Sequence, residues 1–153
     1  VKSVQGDREI IPLLEEMGRW KPGEERRIDA AQIPDLVPIL AVVALARPGV
    51  TILENAQRLR FKESDRLLST AEMLGSMGAK IAATTDSLLI HGGEQLTGGE
   101  VDAHNDHRIA MAAAISALNS RNGATIMGAD AVGKAYPGFF QELQRLGGDV
   151  RGI

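Results

Sequence analysis

The chain has 153 residues, of which 44% are hydrophobic and 24% charged, and these values are typical of one globular domain with its own core. The net charge of −3, without any block of like charge, gives no sign of a nucleic-acid partner. The longest apolar run, residues 36–46, is shorter than the roughly 20 residues that span a bilayer, and cysteine is absent, so we expect a cytoplasmic protein without membrane contact or disulfides.

Three segments along the chain share one plan, which indicates an internal repeat. Residues 5–18, 62–78 and 133–148 each have a polar or glycine-bearing entry, apolar residues at helical spacing and a glycine where the helix should end. In the second segment Ser64 or Asp65 is the expected N-cap. In the third, Pro137 suits the first helical position. The pattern predicts three amphipathic helices.

A second kind of helix lies between these segments. Residues 33–46 and 106–118 are apolar on nearly every side, which predicts helices buried inside the domain. Asp35 and Asp106 open them and are 71 positions apart (106 − 35), close to the repeat spacing. If Asp35 caps its helix, Pro38 falls in the first turn, where proline is tolerated.

Short β-like runs fill the gaps between the predicted helices. They are residues 50–54, 80–84, 87–91 and 124–128. The resulting order is a β-α-β-α-β-β unit, in two full copies and part of a third, which places the chain in the α/β class built from α+β repeats. We predict a single domain over residues 1–153, with repeats at approximately 1–55, 56–128 and 129–153. The third copy lacks its buried helix and Val1 lies within a strand-like run, so we expect an incomplete domain from a longer protein.

Cations are placed where helices are expected to begin. In the run "RLRFKESDRL", residues 58–67, Lys62, Glu63 and Arg66 come at the start of the second amphipathic helix, and Arg108 opens the second buried one. Lys134 lies in a turn before the third amphipathic helix. A cation at a helix N-terminus opposes the helix dipole unless an anion is bound there. The pattern favours an anion-binding site over a merely solvated charge run.

Two acidic residues could take part in proton transfer at such a site. Asp35 is either only a helix cap or a carboxylate that accepts a proton from a hydroxyl. Glu63 is either an ion-pair partner of its neighbours or an acid–base group. The segment "DAHNDH", residues 102–107, has two histidines three apart, His104 and His107, but this spacing alone is a weak metal signal, and we expect no metal.

Four motifs, in this order and spacing, resemble one enzyme family. They are "IPD" before a buried helix, "RFKESDRL", "NDHRIAMAAA" and "GKAYPGFF". Together they are similar to the C-terminal part of the 5-enolpyruvylshikimate-3-phosphate synthases (3-phosphoshikimate 1-carboxyvinyltransferases). The resemblance implies two similar domains of three β-α-β-α-β-β units each. Each domain is an inside-out α/β barrel with buried helices and a sheet facing solvent, and the active site lies between the two.

The resemblance also implies a reaction and its residues. The family transfers the enolpyruvyl group of phosphoenolpyruvate to the 5-hydroxyl of shikimate 3-phosphate, in the pathway to chorismate and the aromatic amino acids, without a cofactor. Asp35 matches the group that binds the shikimate hydroxyls and takes the 5-hydroxyl proton. Glu63 matches the acid near the enol methylene, and Lys62 matches a contact of the shikimate 3-phosphate. The remaining matches contact or line the phosphoenolpyruvate site and are Arg66, His107, Arg108 and Lys134.

The chain departs from part of the family at one position. Some family members have a substrate-binding asparagine where this chain has Arg58, so the resemblance does not imply that contact here. The family's N-terminal domain, in this chain or another, is the expected partner and carries the other half of the site, so this chain alone is expected to be inactive. The alternatives are an enolpyruvyl transferase acting on UDP-N-acetylglucosamine, which shares the fold, and a non-catalytic anion-binding module.

Overall fold

Two helices that are apolar on nearly every side lie in the core of the fold. In the computed structural model, which describes residues 6–153, they are α2 (Val37–Leu45) and α4 (His107–Leu118), and they pack against each other. Six of the nine α2 residues are buried, and Ile109 and Ala113 of α4 are fully buried. The prediction that both helices are buried is therefore confirmed.

Three further helices are α1 (Ile10–Gly18), α3 (Arg66–Ser76) and α5 (Phe139–Arg145). The Asp65 side chain caps α3 by accepting a hydrogen bond from the Leu68 backbone N–H at 3.1 Å, as predicted. The predicted start of α5 at Pro137 is wrong. The Phe139 N–H donates to the Tyr136 carbonyl across a turn that contains Pro137, so the helix begins two residues later. Gln5, the predicted start of the first helical segment, lies outside the described residues.

Glycine ends two of these helices in the predicted way. Gly78 and Gly147 follow the C-caps of α3 and α5 and have φ angles of 95° and 100°, in the left-handed region that glycine adopts without a steric cost. Gly18 differs, because it is the last residue of α1 itself and is not among the residues with positive φ.

The strands form two separate open sheets. The larger has the order β1-β2-β4-β3, with β1 and β2 parallel and the other pairs antiparallel, and the smaller pairs β5 with β6 in parallel. Their bounds are β1 Arg26–Asp29, β2 Gly49–Glu54, β3 Lys80–Ala83, β4 Leu88–Gly92, β5 Gly99–Asp102 and β6 Ala124–Met127. Within the described residues neither sheet closes into the barrel that the resemblance implied.

Strands β1 and β5 were missed by the sequence analysis. Each has four residues, of which one is a buried apolar residue, Ile28 in β1 and Val101 in β5. Charged residues flank that position, so neither segment shows the run of apolar residues that identifies a strand. Each pairs in parallel with a strand that follows a buried helix, β1 with β2 and β5 with β6. This pairing is visible only in the tertiary structure.

The order of elements contains one complete β-α-β-α-β-β unit. It runs from β1 through α2, β2 and α3 to β3 and β4, and β5, α4, β6 and α5 repeat its first four elements. The expectation of two full copies is wrong for the described residues, because β1 is the one strand between α1 and α2, whereas three strands lie between α3 and α4. The division into repeats at 1–55, 56–128 and 129–153, and of the whole chain into one domain, stays a prediction.

This architecture brings the N-terminal ends of three helices together. A short 3-10 helix, Pro34–Leu36, leads into α2, and a longer one, Gln57–Phe61, precedes the loop before α3. The first residue of α3, Arg66, reaches both Asp35 before α2 and Asp106 before α4. The polar chemistry therefore gathers at one end of an apolar helix cluster.

The contact between β4 and the end of α2 gives a testable prediction. At Gly92 an added Cβ would overlap the backbone carbonyl oxygens of Ala44 and Arg47, which cannot move as a side chain could. We expect Gly92→Ala to lower the free energy of unfolding by about 1–3 kcal/mol, a typical cost of overpacking. Gly75→Ala is the control, since Gly75 lies within α3 with open space around it. It should be neutral or stabilising by up to about 1 kcal/mol. Equal unfolding midpoints in urea for both variants would contradict the packing described here.

Candidate functional site

Arg66 is the centre of the polar cluster, although only 1% of its surface is exposed. Its Nε and Nη2 donate to the two carboxylate oxygens of Asp106, at 2.9 and 3.0 Å, in a bidentate pair. Its Nη1 donates to Asp35 Oδ1 at 2.8 Å, and Nη2 also donates to Glu63. One buried guanidinium thus holds three carboxylates from three different segments of the chain.

Asp106 is fully buried and performs two tasks. Its carboxylate caps α4 by accepting from the Arg108 backbone N–H at 3.0 Å, and it also accepts from Ser64 Oγ at 2.9 Å. The sequence analysis placed Asp106 at the start of this helix, but it did not predict the cap, and it missed the pair with Arg66. The signal was present in the sequence, because a carboxylate that opens a helix buried on all sides is buried with it and then requires a cation partner.

The pKa of Asp106 lies below its ordinary value of 3.8. Burial by itself raises this pKa, but the hydrogen bonds and charge of Arg66, with the Ser64 hydroxyl and the Arg108 N–H, outweigh burial. The group is therefore ionised at neutral pH, and the buried pair is a true ion pair.

Asp35 does not cap α2, contrary to one reading of the sequence. The N-cap position of α2 is Leu36, which makes no side-chain cap, because the intervening 3-10 turn carries Asp35 away from the helix end. Its carboxylate instead accepts from Lys62 at 3.0 Å and from Arg66. Pro38 still falls in the first turn of α2, as expected.

The pKa of Asp35 is also lowered below 3.8. Partial burial raises it, but the hydrogen bond and charge of Lys62 outweigh burial, with smaller contributions from the charges of Arg108 and Arg66. Asp35 is therefore a carboxylate at neutral pH and able to accept a proton, although these cations make it a weaker base than an isolated carboxylate.

Arg108, the second residue of α4, contacts the same cluster. Arg108 donates through Nη1 to the backbone carbonyl of Asp35 at 3.3 Å and through Nη2 to Asp7 at 2.9 Å. His107 precedes it, and its Nδ1 is buried without a hydrogen-bond partner among residues 6–153. Arg66 and Arg108, 42 positions apart in sequence (108 − 66), thus both contact Asp35.

Lys134 lies beside this cluster and not at a helix start. It is the last residue of the 3-10 helix Ala129–Lys134, five positions before α5 begins, because residues 135–138 form a turn. Its Nζ donates to the backbone carbonyl of Asn105, which directly precedes Asp106. Asn105 has a φ of 54°, a left-handed conformation that turns the chain just before α4.

These contacts correct the argument from helix dipoles. Arg66 and Arg108 do stand in the first turns of α3 and α4, as predicted. However, the chain itself supplies the anions beside them, from Asp35, Glu63 and Asp106 for Arg66 and from Asp7 for Arg108. The cations at helix starts are therefore explained without a bound ligand, and the case for a substrate site has to rest on the whole cluster.

The other residues considered in the sequence lie elsewhere. His104 faces Glu72, with 3.2 Å between Nε2 and Oε2, and His91 is exposed on β4. Arg58 is exposed in the 3-10 helix before the loop. In the part of the chain that the structure describes, no group of three or more potential ligands could hold a metal ion, and no helix has the length and apolarity to cross a membrane.

The cluster is an open, charged surface and not an enclosed cavity. Lys62, Glu63 and Arg108 all have partly exposed side chains. A cavity of about 310 Å³ lies away from them, between α2, α4 and the segment after β4, and is lined in part by Leu45 and Ser116.

Comparison with known proteins identifies the family. The family model described as EPSP synthase (3-phosphoshikimate 1-carboxyvinyltransferase) matches residues 1–143. The chain belongs to the EPSP synthase family. A 3-phosphoshikimate 1-carboxyvinyltransferase of Clostridium acetobutylicum is 48% identical over 98% of the chain, and one of Methanocorpusculum labreanum is 40% identical over 96%. The chain spans 37% and 38% of the lengths of these two family members.

Solved structures agree with this family and fold. An EPSP synthase from Acinetobacter baumannii has a TM-score of 0.78 and 28% identity, covering 89% of this chain and 38% of that one. The enolpyruvyl transferase NikO from Streptomyces tendae has a TM-score of 0.76 over 94% of this chain and 36% of that one, but its 21% identity supports only a shared fold. The α/β fold class inferred from the sequence is thus confirmed.

The Arg66–Asp106 pair gives a prediction about stability and pH. Asp106→Asn keeps the cap of α4, since asparagine caps a helix about as well as aspartate, but it leaves the Arg66 charge in the core without its main partner. We expect a loss of about 3 kcal/mol in the free energy of unfolding at pH 7. Because the pKa of Asp106 is lowered, its contribution is complete above about pH 4 and disappears as the pH falls through the lowered pKa. The difference between parent and variant should therefore shrink on acidification.

Asp102→Asn is the matched control for this measurement. Asp102 accepts the His104 backbone N–H at 2.7 Å, a bond that asparagine also makes, and no cation pairs with it among the described residues. Urea unfolding of parent, variant and control at pH 7 and pH 3 makes the comparison. A difference between parent and Asp106→Asn that does not depend on pH would contradict an ionised, buried pair.

Proposed function

We propose that this chain supplies part of the active site of an enzyme that transfers the enolpyruvyl group of phosphoenolpyruvate to the 5-hydroxyl of shikimate 3-phosphate. The observation that carries the proposal is the joint contact of Asp35 and Glu63 with the buried Arg66, beside Lys62 and Arg108. Two anionic substrates need several fixed cations, and a reaction that moves protons needs carboxylates next to them. Membership of the EPSP synthase family supports these substrates.

The cations divide by exposure into two kinds. Lys62 and Arg108 are partly exposed, so they are the groups that an arriving phosphate or carboxylate reaches first. Arg66 already donates four hydrogen bonds to carboxylates, so it binds phosphoenolpyruvate only by exchanging one of them. Asp35 and Glu63 are its two partly exposed partners, whereas Asp106 is buried, and we assign the exchange to Glu63. Lys134, which contacts the Asn105 carbonyl just before α4, is the remaining cation of the proposed site.

The role proposed for Asp35 depends on Lys62. The Lys62 ammonium makes the strongest of the contacts that lower the pKa of Asp35. When Lys62 turns to the phosphate of shikimate 3-phosphate, this contact weakens and the pKa of Asp35 rises. Binding of shikimate 3-phosphate thereby makes Asp35 a better base for the 5-hydroxyl proton of the same substrate.

The proposed reaction balances with the groups available. The 5-oxygen forms a bond to carbon 2 of phosphoenolpyruvate, its proton passes to Asp35, and a proton is added to the methylene carbon, which becomes a methyl group. Glu63, beside Asp35 on Arg66, is the group that we assign to this methylene proton, after it has taken up a proton from water. Loss of one methyl proton back to Glu63 and cleavage of the C–O bond to phosphate then restore the double bond. The proton held by Asp35 passes to the leaving phosphate, which departs as hydrogen phosphate.

Further parts of the proposal come from the family and not from these residues. The other side of the site would be contributed by the additional sequence that complete family members possess, in the same chain or a second one. No organic cofactor takes part in the reaction as proposed. A cytoplasmic location remains a prediction of the sequence.

The role of Asp35 can be tested in a complete enzyme that carries these 153 residues. Asp35→Asn keeps an oxygen that accepts from Lys62 and Arg66, but its amide cannot take up a proton at neutral pH. We expect turnover to fall by about 10²- to 10⁴-fold, as for other general bases. Stability should fall by less than about 1 kcal/mol, because solvent screens the ion pairs of this partly exposed group. Since Asp35 caps no helix, Asp35→Ala should not be much less stable than Asp35→Asn.

Asp29→Asn provides the control, because Asp29 is exposed at the end of β1 and accepts only the Ala31 backbone N–H among the described residues. Turnover and urea midpoints of all variants are compared. If Asp35→Asn keeps near-parent turnover, the base lies elsewhere. Turnover with UDP-N-acetylglucosamine in place of shikimate 3-phosphate would favour the alternative transferase.

The isolated 153-residue chain allows a separate test. We expect it to bind phosphoenolpyruvate weakly through Arg108 and Lys134 but to show no turnover, because the proposal places the remaining contacts outside these residues. Thermal unfolding is measured with phosphoenolpyruvate and with sodium chloride at equal ionic strength. Turnover by this chain alone would contradict the division of the site, and equal melting temperatures in both solutions would contradict the anion site.

A further inference from the structure

The loop that carries Lys62 and Glu63 is held by few apolar contacts. Leu59 before it and Leu67 after it are fully buried, but Phe61 has 87% of its surface exposed. None of residues 60–65 is a buried apolar residue. None of them belongs to a strand or an α-helix, and Arg60 and Phe61 are the last two residues of the 3-10 helix. The position of the loop therefore depends on polar contacts.

On one side of the loop, the polar contacts belong to the proposed site. Lys62 contacts Asp35, Glu63 contacts Arg66, and Ser64 donates to Asp106 at 2.9 Å. The first two of these contacts are the ones that substrates would exchange. They cannot keep the loop in place while they are being replaced. Of the three, the Ser64 contact then remains, so the part of the loop before Ser64 needs a further contact to stay fixed.

Arg60 makes that contact with all three nitrogens of its guanidinium. Nε donates to the Thr85 carbonyl at 2.8 Å and Nη2 to the Thr84 carbonyl at 2.5 Å, in the turn that joins β3 to β4. Nη1 donates to Asp65 Oδ2 at 2.8 Å. The planar, five-donor guanidinium suits this three-way contact, whereas a lysine ammonium on its flexible stem does not.

The partners of Arg60 are themselves fixed. The β3–β4 turn is closed by hydrogen bonds between Thr84 and Ser87, and the Ala56 N–H donates to the Asp86 carbonyl at 2.7 Å, which ties the start of the segment to the same turn. Asp65 uses its other oxygen, Oδ1, to cap α3. Arg60 thus joins a hairpin turn to the start of α3. Residues 61–64 lie in the chain between Arg60 and its partner Asp65.

We infer that Arg60 is a positioning residue, which fixes Lys62 and Glu63 through its contacts with the β3–β4 turn and with Asp65. It contacts neither Asp35 nor Arg66, and its effect on the reaction passes through the loop. The inference deepens the proposed function and rests on it for the effect on catalysis, whereas the effect on loop order stands on the contacts alone. Preorganised groups hold reacting atoms in place without a cost at the moment of reaction, which is the advantage that Arg60 supplies.

The test uses Arg60→Gln, Arg60→Lys and Asp65→Asn, with Arg145→Gln as the matched control. Asp65→Asn keeps the cap of α3 but removes the charge that pairs with Arg60. Arg145 also pairs with a carboxylate, that of Glu142 at 2.9 Å, but it lies on α5 and touches no residue of the loop among its described contacts. All four variants therefore break an Arg–carboxylate ion pair, and three of them do so at the loop.

The first measurement is backbone NMR relaxation of the 153-residue chain. In the parent and in Arg145→Gln we expect order parameters of about 0.85 for residues 61–64, and in Arg60→Gln values below about 0.6. Residues 67–74 of α3 should stay unchanged in all of them. In Asp65→Asn and Arg60→Lys the order parameters of residues 61–64 should lie between these two values. Order parameters for residues 61–64 that stay at the parent value in Arg60→Gln would overturn the inference.

The second measurement is steady-state kinetics of the same variants in the complete enzyme. We expect Arg60→Gln to raise the KM for shikimate 3-phosphate and lower kcat by about tenfold each, because Lys62 and Glu63 lose their fixed positions, whereas Arg145→Gln should match the parent. A mobile loop with unchanged kinetics would overturn the catalytic part of the inference. Loss of activity in Asp35→Asn without any effect of Arg60→Gln would overturn only the positioning role.

Discussion

The buried ion pair of Arg66 and Asp106 is the interaction on which the rest of the site depends. It joins the first residue of α3 to the cap of α4 through two parallel hydrogen bonds in a region closed to water. Neither residue can move away without leaving an uncompensated charge in the core, which is one of the most costly changes a folded protein can undergo. The two helix ends are therefore fixed relative to each other, and Asp35 and Glu63 are positioned by the same guanidinium.

Much of the fold could be predicted from local patterns. Helices α2 and α4 were recognisable because their sequences are apolar on all sides, and α3 because its apolar residues recur at helical spacing before Gly78. Strands β1 and β5 could not be recognised, since the burial of Ile28 and Val101 comes from neighbouring strands and helices that are distant in sequence. Periodicity reports how one segment meets the core, but it does not report pairing between short, charged strands.

The candidate residues could be grouped from the sequence, but their contacts with one another could not be predicted. The sequence grouped Asp35, Lys62, Glu63, Arg66 and Arg108 as candidates, and the structure brings them into one network. The contact of Asp35 with Lys62, instead of a cap on α2, could not be inferred from local patterns, because a single 3-10 turn decides its direction. The sequence also led to a wrong reason for the cations, since carboxylates far apart in the chain balance their charge. Such long-range pairing is a property of the tertiary structure.

Exposure separates the permanent contacts of this network from those that can be exchanged. The Arg66–Asp106 pair is buried, so water and ligands cannot compete for it, and it serves as the fixed reference. The pairs of Lys62 with Asp35 and of Arg108 with Asp7 are partly exposed, and solvent screening makes them weak enough to yield to a substrate anion. The carboxylates of the chain thus hold the cations close to where the proposed substrates need them, at a small cost when they are displaced. A site of this kind is preorganised for anions and still stable without them, because its own aspartates and glutamates balance the charge.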